Sequence, residues 1–191
     1  MNLQHLNVKI MIADPNGLDF EAFIPVFHHW IQKKMTQERL IDVADYLHVP
    51  EGPGVMLIAH EAFLSMDHSE NRWGFLYNRR DGLEGNNLEK MKTVVKAALE
   101  HARRLEQEAT LAGKLKFRGE ELQFIVNDRL LVPNTDESFK TLEPELKTFL
   151  GKLYGGAPYS LNRHSDPRER FTLDVKGSRP FDLATLHQNL S

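Results

Sequence analysis

Apolar positions along this chain recur with two periods, and the switches between them outline the elements. Asn7 to Ala13 is a β-branched and long apolar run that stops at Asp14-Pro15-Asn16-Gly17, as a strand ended by a turn does. The period then becomes helical, with Phe20, Phe23, Ile24, Phe27, Trp30 and Ile31 on one stripe. Pro25 lies inside that stripe without an N–H to donate. The spacing therefore predicts a short helical turn over residues 19–23 and a kink or a fresh helix start at Pro25.

Two apolar segments follow, Leu40 to Val49 and Val55 to Met66, separated by Pro50-Glu51-Gly52-Pro53-Gly54. Two prolines and two glycines make that separator a loop, so the pair reads as a hairpin. Trp73, Phe75 and Tyr77 then alternate, extending the hairpin to a three-stranded antiparallel meander. From Leu88 to Ala112 apolar residues step by three and four, an amphipathic helix with Asn86 and Glu89 as a capping box. Its stripe suits a sheet or a coiled-coil seam, and its many small residues favour the sheet.

Beyond it, Lys114 to Phe117 and Glu121 to Val126 read as a hairpin around Arg118-Gly119-Glu120, and Arg129 to Val132 as a further strand. Phe139, Leu142, Leu146, Phe149 and Leu153 mark a helix closed by Gly155-Gly156. A last hairpin places Tyr159 and Leu161 opposite Phe171, Leu173 and Val175. The tail, residues 177–191, reads as loosely held, with a short turn between Asp182 and Leu190.

The two shorter helices have related surroundings. Phe20 and Phe139 each precede a proline by five residues, Pro25 and Pro144, and Pro15-Asn16 and Pro133-Asn134 stand before them. This parallel predicts two βαββ units, residues 6–66 and 129–176, joined by a strand, the long helix and a hairpin. The expected fold class is α+β: an antiparallel sheet with one apolar face covered by about three helices, with a ferredoxin-like order in the first half. Residues 1–176 form a single domain in this reading.

Composition narrows the chemistry. The chain has 191 residues, 41% of them hydrophobic, and a formal charge of −3, an ordinary globular balance. Without a cysteine, disulfides, thiolate metal sites and cysteine nucleophiles are excluded. The opening residues show no basic leader before a long apolar run, and no apolar run approaches a membrane span, which points to a cytoplasmic protein. Arg79 and Arg80, with Arg163, Arg168 and Arg170, are local basic clusters rather than a dense stripe. Nucleic acid is thus an unfavoured partner, and these arginines with His164 are candidates to grip an acidic group.

If the loop at residues 50–53 is symmetric, Val49 faces Gly54 and Val43 faces His60. Asp45, His60 and Tyr77 then meet on an otherwise apolar face. A carboxylate, an imidazole and a phenol in that order satisfy one another in a core, or serve as acid–base groups if a cleft reaches them. Either outcome depends on register, because a slip of one residue sends them to different faces. Asp42, His48, Glu61, Asp67 and His68 add oxygen and imidazole groups nearby, but not at a spacing specific to a metal, and no metal or other cofactor is expected. Phosphate-binding, dinucleotide-binding and serine-hydrolase motifs are missing from the sequence. Two functions remain: a non-catalytic protein that binds a protein partner or a small ligand, and an acid–base or metal-assisted hydrolytic enzyme using Asp45, His60 and Tyr77.

Overall fold

The first strand, β1 (Leu6–Ile12), is buried at every position, so both faces of its sheet are covered where it lies. A 3-10 turn over Phe20–Ala22, capped by the Asp19 carboxylate, leads into α1 (Phe23–Lys33). Pro25 sits in the first turn of α1, where a missing N–H leaves no helical hydrogen bond unmade, so the proline starts the helix rather than bending it. The remaining elements are β2 (Leu40–Tyr46), β3 (Gly54–Ala59), β4 (Ala62–Asp67), β5 (Gly74–Arg79), α2 (Asn87–Gln107), β6 (Phe117–Val126), α3 (Asp136–Leu153), β7 (Tyr159–Arg163), β8 (Phe171–Gly177) and α4 (Leu183–Asn189). This computed structural model describes residues 1–111 and 113–191.

All eight strands belong to one open antiparallel sheet in the order β2-β3-β4-β5-β1-β6-β8-β7. The class is α+β, with four α-helices among the described residues where about three were expected. A single row of paired residues crosses the whole sheet: Val43, Leu57, Leu64, Tyr77, Val8, Phe124, Leu173 and Arg163. The helices pack on the face that carries this row. Val95 of α2 and Leu146 and Phe149 of α3 meet Val8, Phe124 and Leu173 there. The opposite face is more polar, and its buried Lys9 ammonium is 2.6 Å from the Asp67 carboxylate.

Several expectations are corrected. The apolar segment from Val55 to Met66 is two strands, β3 and β4, turning at His60-Glu61 without a glycine or proline, so the meander has four strands. Four strands rather than three therefore follow α1, and the span 6–66 holds three strands after its helix where the βαββ reading had two. Residues 129–132 are a turn with Leu130 95% exposed, and the strand before α3 is β6. β6 itself is one strand through Arg118-Gly119-Glu120, where a hairpin was expected, and its pairing with β1 shifts register between Phe117 and Leu122. Gly119 marks a close approach: a Cβ there would stand 2.3 Å from the Phe181 carbonyl oxygen. That approach also corrects the tail, because Phe181, Leu183, Leu186 and Leu190 are buried and α4 is docked against α2 and β6. The long helix ends at Gln107, five residues early, and Ala112 of the predicted span lies outside the described residues.

β1 and β6 are adjacent, each is followed by a helix, and each half returns through an antiparallel meander to pair with its own leading strand.

Candidate functional site

Tyr77 stands on β5 in the row facing the helices, with its side chain buried and its hydroxyl at the border between the sheet and α2. The hydroxyl donates to Oε1 of Glu38 at 3.0 Å, and Nε2 of His101 reaches the same oxygen at 3.0 Å. Glu38 comes from the connection between α1 and β2. His101 comes from the buried face of α2, one helical step beyond Ala98. The Tyr77 and His101 rings stack with centroids 5.8 Å apart, and Trp30 of α1 lies 6.2 Å from the imidazole on another side.

These contacts decide the charges. Burial alone would raise the Glu38 carboxyl, but the His101 hydrogen bond and charge, with the Tyr77 hydroxyl, overcome it and bring the carboxyl down to about 2. Burial, reinforced by the Glu38 charge, holds the Tyr77 phenol above its usual range. Glu38 is therefore an ionised acceptor at neutral pH and Tyr77 a protonated donor. One carboxylate oxygen is shared by two partners, while the other, Oε2, is buried and unpartnered among the described residues.

Glu38 and Tyr77 line an open cleft of about 580 Å³ that also receives Arg79, Lys96, Glu61, Glu100 and His187. Its carboxylates are engaged with other groups: Glu38 with His101, Glu61 with Arg39 and Glu100 with Arg104. The Arg79 guanidinium lies near enough to the Tyr77 hydroxyl for its charge to act there, and its Nε is buried without a partner among the described residues. Burial and the nearby Lys96 and Arg103 charges lower the His187 imidazole, which is thus neutral at pH 7.

Asp45, His60 and Tyr77 do not come together. Val43 faces Leu57, not His60, because the loop spans Leu47 to Pro53 and β2 stops at Tyr46. A pairing displaced by three residues leaves Asp45 opposite Val55 at the exposed sheet edge, its carboxylate accepting the Leu47 N–H. His60 is exposed in the β3–β4 turn. Tyr77 alone of the three is in the cluster, and its carboxylate and imidazole partners are Glu38 and His101. His101 had left a trace in the sequence as a polar residue on an apolar helical stripe. Glu38, in a polar connection, had left none.

The arginines also divide. Arg79 lines the cleft, and the exposed Arg80 lies over the Phe63 ring at 4.6 Å. Arg163 is a structural clamp, donating to the Asn134 side chain at 2.9 Å and pairing with Asp136. His164 meets Asp174 at 3.0 Å, and Arg168 is paired with Asp166 at 2.6 Å. Arg168 and Arg170, with Arg129, line a separate open cleft of about 430 Å³ whose Glu51, Glu70 and Glu169 balance the arginine charge. Among the described residues, no group of three or more histidine, aspartate or glutamate side chains is arranged to hold a metal ion.

The chain matches no family model, no curated protein and no solved structure.

Proposed function

We propose that this protein binds a small polar molecule in the cleft between β5 and α2, without carrying out chemistry on it. The observation that supports this reading is the open cleft of about 580 Å³ whose Arg79 and Lys96 have no ion-pair partner among the described residues. A bound molecule with an acidic group supplies the partner that those two cations lack. The cleft volume is in the range of small-molecule sites, which also favours a small ligand over a protein partner. The test is extraction of natively purified protein, mass spectrometry of the released small molecules, and rebinding to the 15N-labelled chain. A molecule recovered near one per chain, whose return shifts the amides of Glu38, Tyr77 and Arg79, supports the reading. If neither that extract nor a total metabolite fraction shifts them, the reading fails.

An acid–base enzyme is the second reading, favoured by a carboxylate, an imidazole and a phenol joined by two 3.0 Å contacts. Proton traffic at neutral pH calls for groups poised near 7. A carboxyl near 2 and a phenol held above its usual range are poised far from it, so Glu38 and Tyr77 are not the groups to exchange a proton at neutral pH, and binding is the preferred reading. Turnover of a recovered ligand by the native protein, lost in the Tyr77→Phe protein, would reverse that preference.

A further inference from the structure

We infer that an acidic molecule entering this cleft is taken up together with a proton, which His187 of α4 accepts as the molecule settles on Lys96. The inference rests on the binding reading above and adds the regulation of that site by pH.

Helical spacing puts the imidazole in position. Leu183 and Leu186 of α4 are buried, with Leu190 just past its end, and His187 stands one helical step after Leu183. The docking of α4 therefore sets where the ring lies: partly buried, on the wall of the cleft that Tyr77, Arg79 and Lys96 also line. Facing it, α2 brings Lys96, Glu100 and Arg103, which are four and three residues apart and so share one face of that helix. Glu100 is paired with Arg104 at 3.5 Å, whereas Lys96 and Arg103 have no ion-pair partner among the described residues. The other elements against α4 engage its two ends. Glu120 of β6 accepts the Phe181 N–H at 3.5 Å, and Lys152 of α3 donates to the Ser191 carbonyl oxygen at 3.5 Å. Across the cleft, Glu38 is held by His101 and Glu61 by Arg39, which leaves Arg79 as the further cation.

Without an anion at Lys96, burial and the Lys96 and Arg103 charges keep the proton off His187, with Glu100 opposing them weakly. An anion on Lys96 reverses that balance, because it cancels a like charge and adds an attraction for the imidazolium. Linkage makes the effect reciprocal: a molecule that strengthens the ring's hold on a proton is itself held more tightly once the ring is protonated. Affinity then rises as the pH falls through the His187 value of the complex, and levels off below that of the free chain. Glu61, held down by the Arg39 N–H, and Glu38, held down by His101, stay ionised over this interval and do not produce the same dependence.

The test uses sulfate, whose two charges do not change between pH 5.5 and pH 8, and beside it the molecule recovered by native extraction. The His187 imidazole of the full-length 15N-labelled protein is titrated at constant ionic strength in chloride, with and without each probe. The expected result is a His187 midpoint raised by roughly half a unit or more, and binding roughly threefold or more tighter at pH 5.5 than at pH 7.5. His187→Gln is expected to remove that pH dependence. A second variant, Lys96→Gln, leaves the docked leucines of α4 untouched; it is expected to raise the His187 midpoint with no probe present and to abolish the further rise with sulfate. A probe that shifts the amides of Arg79 and Lys96 equally well at both pH values, with the His187 midpoint unmoved, overturns the inference and leaves the binding reading standing. If neither sulfate, the recovered molecule nor a total metabolite fraction shifts these amides, both fail.

Discussion

Glu38 is the residue on which the electrostatics of the cleft turn, and acid shows how much it contributes to folding. Its carboxyl has an ordinary value of 4.5 and lies at about 2 in the folded chain. A folded value below the unfolded one gives stability that is fully present above about pH 4.5 and lost as the pH falls toward 2. For a side chain 8% exposed, the depression corresponds to roughly 3 kcal/mol as an upper figure. Urea unfolding of the native protein is expected to lose most of that between pH 5 and pH 2.5 beyond the loss shown by Glu38→Gln, whose amide cannot titrate. Equal acid sensitivity in the two proteins would mean that the carboxylate is not held by Tyr77 and His101. Tyr77 was legible as a buried member of an alternating strand. Its partners were not, because the contacts with Glu38 span 39 residues for Tyr77 and 63 for His101, and no local period encodes a meeting at that separation.

Among the elements, those with strong local signals were readable and those decided by a distant neighbour were not. The start of α2 was explicit: Asn86 and Glu89 form the reciprocal cap that their spacing implied. Asn86→Ala is expected to cost about 1 kcal/mol by chemical denaturation and to fray the first turn of α2 in hydrogen exchange. Gly119 illustrates the opposite case. A glycine between two apolar runs reads as a turn, whereas here it leaves room for the Phe181 carbonyl oxygen, information that resides sixty residues away. Gly119→Ala is expected to destabilise the protein by about 1–3 kcal/mol, since a backbone oxygen cannot withdraw as a flexible side chain would. The loss of amide protection should be concentrated in α4, with β1 and β6 retaining theirs. Uniform loss over the chain, or none, would show that the tail is not docked through this contact. The register of β2 and β3 failed for a related reason: the proline and glycine positions located the loop, but β2 ends at Tyr46, and the strand pairing follows from that end.

At the scale of the whole molecule, alternation in the strands fixed the antiparallel sheet and its helix-covered face. It said nothing of the strand order, which places β1 and β6 side by side within the sheet although α1, α2 and four strands separate them in sequence. That interior position explains why β1 is buried on both faces, and it sets the environment of Lys9 on the helix-free side. The Lys9 ammonium is 1% exposed, lies 2.6 Å from Asp67, and donates also to the Ser69 carbonyl oxygen at 3.1 Å, tying β1 to β4 and to the turn that follows it across the intervening β5. Burial lowers the ammonium, opposed by the Asp67 charge and hydrogen bond, so the pair is costly to desolvate and more costly to break. Lys9→Met alone leaves a buried carboxylate unpaired and is expected to destabilise the protein by roughly 3–5 kcal/mol. Lys9→Met with Asp67→Leu removes both charges and is expected to recover most of that loss, a non-additivity of the kind neighbouring partners show. A complete denaturation cycle of wild type, two single variants and the double variant measures it. Additive single losses would mean that each group is stabilised by its own surroundings, and that the pair does not join the strands of the sheet.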